Sequence, residues 1–249
     1  QEFFSMKECQ KFPSLSAGGR LSKFKNKHIL YTIGDYDSSE IYMDMPQKTD
    51  SLLGKVIKIN TLNKKHKIIS IGHRNPQGLF YDDINDVVYL TEHGPQGGDE
   101  ININVSPDQK IKNYGWAISS YGEHYGFPNK DNKEKYKRAP LNKNHEQYGF
   151  IEPIKYFTPS VAPTQIIKTE LLFNTIKNKS ILVSTLGFDI EEGDKSIHHF
   201  LLDDKFSILE HNIIPIGDRI RDIIYINEIN KLILVLEKNF SIGVLEALN

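Results

Sequence analysis

Residues 72–102 read "GHRNPQGLFYDDINDVVYLTEHGPQGGDEIN". Two strand-length runs, "GLFYD" and "VVYLTE", lie in its middle, rich in aromatic and β-branched residues. A polar cluster stands at each end. His73, Arg74, Asn75 and Gln77 precede the first run, and Glu92, His93, Gly94, Pro95, Gly97, Gly98, Asp99 and Glu100 follow the second. A strand pair with its chemistry gathered at the ends is the pattern of a β-scaffold that presents functional loops.

The same texture continues in both directions. "GRLSKF", "HILYTIG", "KVIKIN" and "KIISIG" lie upstream; "EININV", "PIKYF", "TQIIKT", "SILVSTL", "SIHHFLL", "FSILEHNIIPI", "RIRDIIYI", "KLILVLE" and "FSIGVLE" lie downstream. Helical periodicity is confined to "TELLFNTI" (169–176), so the chain reads as all-β. The breaks between runs are too short for helical crossovers, which excludes a doubly wound α/β fold. Taken in fours, the strands form units of roughly 50 residues, the period of propeller blades, although strand number alone also suits a sandwich. The expected units are 20–73, 77–157, 163–215 and a three-stranded 219–246, all within a single domain over 1–249. The second unit carries a polar, aromatic-flecked insertion at about 117–150, either a functional loop or a tolerated excursion.

Lys and Arg number 31 against 32 Asp and Glu, a net charge of -1, so no broad field draws nucleic acid or anionic lipid. The single cysteine, Cys9, excludes an intrachain disulfide framework and any multi-cysteine zinc site. No apolar run approaches the roughly 20 residues that span a bilayer.

Arg74 offers a planar fork suited to a carboxylate, and Asn75 and Gln77 add amide donors and acceptors. Far downstream, "DRIRD" sets Arg219 and Arg221 two apart, on one face of a strand. Three arginines directed at one axial channel call for a ligand with several carboxylates; the alternative is pairing with Asp218, Asp222 or other surface acids, worth under about 1 kcal/mol each. Proline at 95 removes an amide N–H, leaving the carbonyls of Gly94 and Pro95 as ligands for a hard cation such as Ca²⁺, while the plain alternative is a turn that needs glycine for positive φ. Asp99 and Glu100 disfavour a phosphate cradle there. "GDYDSSE" (34–40) reads as a turn, His198 and His199 point to opposite faces of a strand, and "NYGWAISSYG" (113–122) offers aromatics for core closure or for stacking a flat ligand.

Taken together, "GHRNPQGL", "TEHGPQGGDEIN", "NYGW", "GGRL", "TIGD", "GKVIKI", "TPSVAPTQI" and "RIRDI" resemble the soluble pyrroloquinoline quinone (PQQ)-dependent aldose sugar dehydrogenases of the glucose/sorbosone dehydrogenase family, over about residues 16–245. The resemblance implies a six-bladed β-propeller, of which about four blades are represented. It also implies a periplasmic or secreted setting, PQQ and Ca²⁺ as cofactors, and oxidation of a sugar at C1 to a lactone by hydride transfer. By position, Arg74, Asn75, Gln77, Arg219 and Arg221 fall on family contacts to PQQ, Ser160 on a hydroxyl residue of that pocket, and Gly94 and Pro95 on the carbonyl pair that holds Ca²⁺. Two positions depart from the family. Ser16 stands where the general-base histidine is expected, so no catalytic residue is assigned, and Gly187 stands where a lysine near the quinone is expected, with Lys195 placed to reach back across the loop. These losses keep open a catalytically lapsed propeller that binds carbohydrate or protein. About two upstream blades of the family have no counterpart, and "QEFFSMKECQKF" is expected to be an outer strand of a preceding blade.

Overall fold

The computed structural model describes residues 2–6, 15–36, 44–126, 133–169, 179–238 and 240–246. The chain divides into two compact units, residues 1–158 and 159–249. Sixteen strands and one short α-helix make the described part nearly all β.

In the first unit, β1 (Gly18–Phe24), β2 (His28–Ile33), β3 (Lys55–Asn60) and β4 (His66–Ile71) form an antiparallel meander. A second sheet holds β5 (Pro76–Asp82), β6 (Val87–Glu92) and β7 (Asp99–Val105). The chain then returns to the first sheet, where β8 (Lys112–Asn113) pairs parallel with β4, a strand too short to show in the sequence pattern. The second sheet is completed by β9 (Lys155–Phe157). The β5–β6 hairpin turns because the Asp82 carboxylate accepts the amides of Ile84 and Asn85, after which Asp86 adopts a positive φ.

The two sheets pack face to face. Phe24, Leu30, Val56 and Ile69 of one meet Leu79, Val88 and Leu90 of the other. The opposite side of the first sheet buries Ile33, Leu53, Ile57 and Ile59 beneath Phe4 and Met6, Phe4 meeting Tyr31 edge-on at 6.2 Å. The described N-terminal residues are therefore a cover on the first sheet; residues 2–6 form no strand, contrary to the sequence expectation. The rest of that segment, with Cys9, lies outside the described residues, as do 37–40 of "GDYDSSE".

The insertion contains helix α1 (Lys133–Arg138) and a small core of Trp116, Ala117, Ala139 and Leu141 packed by Tyr136. It is stitched to the "GPQGG" loop by a β-bridge between Gln96 and Glu123, with backbone hydrogen bonds of 2.8 and 2.9 Å.

The second unit holds a four-stranded sheet, β10 (Pro163–Lys168), β11 (Lys179–Thr185), β12 (Ser196–Leu202) and β13 (Ile208–Pro215). It also holds a three-stranded sheet, β14 (Ile220–Ile226), β15 (Lys231–Leu236) and β16 (Ser241–Glu246). The four sheets thus follow the four strand groups expected from the sequence. Thr169 closes β10 without helix, and 170–176, the rest of the one expected helix, lie outside the described residues. His198 and His199 point to opposite faces, His198 hydrogen-bonding to His211 (3.0 Å) and His199 to Ser180 (2.9 Å).

Candidate functional site

The link from β4 to β5 and the link from β6 to β7 lie side by side in the first unit. Gly72 opens the first link with φ 76°, and a side chain there would meet Asn113 at 2.4 Å. His73 follows, fully buried, its Nε2 on Ser70 Oγ (2.8 Å), its Nδ1 on Glu92 Oε1 (3.0 Å) and its ring stacked on Tyr114. Glu92 also accepts the Arg74 amide at 2.9 Å.

Strand register sets Glu92 directly opposite Glu100, and both are buried. Two carboxylates facing each other across a ladder repel. Asn102 eases this by donating Nδ2 to Glu92 (2.9 Å) and to Glu100 (3.0 Å). Burial acts to raise Glu92, but His73, the Arg74 amide and Asn102 outweigh it and hold Glu92 below the usual carboxylate range. Burial and the neighbouring Glu92 charge push Glu100 well above that range, so of the two Glu100 is the one that holds a proton more tightly. His145 Nε2 stands 3.5 Å from Glu100, and burial lowers the affinity of that imidazole for its proton.

Arg74 is 6% exposed. Its Nη1 donates to Gly94 O at 2.6 Å and to His93 O at 3.3 Å. The guanidinium lies 5.6 Å from the Trp116 ring and 5.9 Å from that of Tyr125. The loop that presents these carbonyls is glycine-dependent at two points for different reasons. Gly98 has φ 72° and room for no side chain, with Gly122 N 2.1 Å from a would-be Cβ; Gly94 sits under the carbonyls of Gly97 and Gly98 and is pinned by its amide to Asp99 (2.9 Å). Asn75 Oδ1 accepts from Gly18 N (3.3 Å) and Gln77 Nε2 (2.8 Å), and Gln77 O accepts from Arg20 Nε (2.6 Å). The "SAGGR" segment is thereby fastened beside Arg74, Asn75 and Gln77. Ser16, with φ 51°, accepts the Tyr36 amide on its carbonyl at 3.1 Å.

One participant was not singled out from the sequence. Asp35, the acid of "TIGD", is 3% exposed, accepts Trp116 Nε1 at 2.6 Å and donates its own amide to Arg74 O at 2.8 Å. In the sequence it stood out only as part of the family-like "TIGD" and of the "GDYDSSE" turn. A cavity of about 10 Å³, space for one water-sized group, lies among Arg74, Glu92, Gly94, Glu100, Tyr114 and Trp116.

In the second unit, Arg219 Nη1 donates to Leu186 O (2.6 Å), and both Arg219 and Arg221 converge on the carboxylate of Glu237. The pairing with a surface acid weighed for these arginines is therefore present, through Glu237. Burial acts to raise Glu237, and the two arginines overcome it and hold the group below its ordinary range. Lys195 donates Nζ to Phe188 O at 2.6 Å, a bond within its own loop. A side chain at Gly187 would fall 2.0 Å from the Asp194 carboxylate, so the loop has filled that space by other means. Ser160 is half-buried in the irregular stretch before β10.

Among the described residues no group of three or more His, Cys, Asp or Glu is placed to hold a metal ion. The donors available to a cation are carbonyls. Those of His93 and Gly94 both face the Arg74 guanidinium, so the carbonyl pair seen to converge on a positive group is 93/94. Within the first unit, Arg74, Asn75 and Gln77 are the cationic and amide side chains gathered beside the Gly94 loop; within the second, Arg219 and Arg221 meet at Glu237.

Residues 2–240 match the model of the glucose/sorbosone dehydrogenase family. The chain belongs to that family. Aldose sugar dehydrogenase YliI of Escherichia coli is 27% identical over 208 residues, 72% of this chain and 51% of the relative. Quinoprotein glucose dehydrogenase B of Acinetobacter calcoaceticus is 30% identical over 136 residues, 44% and 27% of the two chains. A crystal structure of a glucose dehydrogenase shares the fold with a TM-score of 0.71 and 21% identity, covering 93% of this chain and 64% of that one. The chain thus spans about half the length of the E. coli family member. No helix among the described residues is long and apolar enough to cross a membrane.

Proposed function

We propose that this glucose/sorbosone dehydrogenase family chain forms part of a PQQ- and Ca²⁺-dependent aldose dehydrogenase that oxidises a sugar at C1 to a lactone. The observation that carries the reading is the Arg74 guanidinium lying on the Gly94 carbonyl. A carboxylate-binding group and a cation-binding group are adjacent on two links of one sheet pair. The relatives, an aldose sugar dehydrogenase and a quinoprotein glucose dehydrogenase, support the same substrate class and cofactor.

In this reading Arg74, Asn75, Gln77, Ser160, Arg219 and Arg221 hold the quinone, and Gly94 and Pro95 present their carbonyls to Ca²⁺. A quinone held by these residues would supply a hydride acceptor for the sugar, and a cation on those carbonyls would supply polarisation of it. Asp35 fixes the Trp116 indole, which with Tyr125 confines the plane of Arg74. Asp99 holds Gly94 by its amide while the Gly94 carbonyl meets Arg74. Ser16 has no basicity near neutral pH, and loss of a general base costs about 10² to 10⁴ in rate. A periplasmic or secreted location follows the same resemblance.

A second reading, a lapsed enzyme that keeps the ligand site, is favoured by Ser16 together with the Asp194 carboxylate packed against Gly187. Thermal unfolding with and without PQQ and Ca²⁺, beside dye-linked oxidation of several aldoses, separates the two. Stabilisation with turnover supports the dehydrogenase, stabilisation alone supports the lapsed form, and neither effect removes the quinone site.

A further inference from the structure

The link that carries Arg74 is braced by a lysine to which the proposed quinone site gives no role. Lys55 opens β3 within the "GKVIKI" run, and its side chain is wholly buried. A buried ammonium is tolerated where its three N–H donors meet oxygens. Backbone carbonyls meet that condition: Nζ donates to Met45 O at 2.9 Å, to Pro46 O at 2.8 Å and to Leu53 O at 2.5 Å. The ammonium thus ties a short 3₁₀ turn, Met45–Gln47, to the residues that lead into β3. That turn reaches the candidate site. Pro46 O also accepts the Gly72 amide at 2.9 Å, Gly72 O accepts the Trp116 amide at 3.0 Å, and Gln47 Nε2 donates to Trp116 O at 2.6 Å. Beside Lys55, Gly54 O accepts the His73 amide at 3.2 Å. Gly54 has φ 66°, and His73 O would lie 2.5 Å from a Cβ there, so the two segments approach this closely only with glycine. Gly72 and His73 directly precede Arg74, and the Trp116 ring lies 5.6 Å from the Arg74 guanidinium carbon.

We propose that Lys55 is a positioning residue of the site: its ammonium is a built-in cation that gathers the carbonyls of the 45–53 loop and thereby sets the Arg74 link and Trp116 in place for the ligand. The identity of that ligand rests on the quinone reading above. The carbonyl cage recognises an alkylammonium group as such, whether or not it is attached to the chain. Truncation of Lys55 to Ala keeps Cβ and removes three carbons and the nitrogen, which together have the shape of propylammonium. Met at the same position fills the slot with an uncharged side chain and leaves the three carbonyls without a donor.

The test compares wild type with Lys55→Ala and Lys55→Met, each in propylammonium chloride and in NaCl of equal ionic strength. Trp116, the one tryptophan of the chain, reports by its emission and its quenching by acrylamide; circular dichroism reports the sheets, and PQQ is titrated in the presence of CaCl₂. Both variants are expected to keep the β signal, to show a red-shifted and about twofold more quenchable Trp116, and to bind PQQ about tenfold more weakly. Propylammonium is expected to reverse these changes in Lys55→Ala and not in Lys55→Met, and NaCl to reverse them in neither, a pattern that loss of packing alone does not produce. Wild-type Trp116 behaviour in both variants overturns the proposal. So does Lys55→Ala that propylammonium fails to restore, or that NaCl restores equally well, and so does loss of the β signal in both variants that propylammonium does not recover in Lys55→Ala. Wild type that fails to bind PQQ removes the quinone site, and the Trp116 measurements then decide the role of Lys55 by themselves.

Discussion

Replacing Glu100 by Gln tests the buried carboxylate pair, the most unusual electrostatic feature of the first unit. Glu100 is 6% exposed, faces Glu92 in register and shares Asn102 Nδ2 with it. Burial and the Glu92 charge raise Glu100 well above its ordinary value of 4.5. From about pH 4.5 upward the folded chain therefore keeps a proton that the unfolded chain has released. Stability contributed by that proton is complete below pH 4.5 and is lost as pH rises toward the raised folded value, at up to about 1.4 kcal/mol per pH unit. Glu92 acts in the opposite sense, since its folded value is lowered and its contribution disappears only as the pH falls below 4.5. Gln resembles the protonated acid in shape and in having one donating and one accepting side. The substitution should thus be nearly neutral at pH 5 and should flatten the profile above it. Urea unfolding followed by Trp116 emission, which reports on the same unit, gives the stability of both proteins at a series of pH values. Parallel profiles above pH 4.5 would show that Glu100 is ionised in the folded state and refute the shared-proton account.

Asp35→Ala should destabilise the chain by about 2 kcal/mol, because it leaves a buried indole N–H unpaired, and should shift Trp116 emission. Asp35→Asn retains an acceptor and should recover most of the loss in the same urea titration; equal losses would mean the hydrogen bond is unimportant. Gly98→Ala, at φ 72° with Gly122 N 2.1 Å from the new carbon, should cost about 3 kcal/mol or more. Gly19→Ala has a positive φ but no atom within 4 Å, and should cost less in the same chemical denaturation series. Ser16→His should raise dye-linked aldose oxidation by the PQQ- and Ca²⁺-loaded protein about 10²-fold if the missing base is what limits the rate. An unchanged rate would place the deficit elsewhere, Gly187 being the next position to restore.

Strand identity and grouping were legible because short runs rich in β-branched and aromatic residues suit a sheet buried on both faces, a local signature of "VVYLTE" and "SIHHFLL", with period-two alternation added in "EININV". Their residues are almost wholly buried in β6, β7 and β12. The clusters around Arg74 and Gly94 were legible as well, because polar residues and glycines crowded at strand ends have no role in a ladder. The two-residue β8 escaped because nothing so short has a period, and the N-terminal "QEFFS" misled because Phe3 and Phe4 suit a strand as well as they suit a hydrophobic cover.

What the sequence alone determined was composition at each loop: a carboxylate-seeking guanidinium, carbonyls without a competing amide at Pro95, a serine at 16 and a glycine at 187. Which atom meets which was decided by register and packing, since these join residues far apart in the chain. Only the tertiary structure set Glu92 against Glu100, laid Arg74 on the Gly94 carbonyl, brought Asp35 to Trp116 and filled the space beside Gly187 with Asp194. A one-residue slip in the pairing of β6 with β7 would turn Glu100 to the other face and dissolve that site without changing a single side chain.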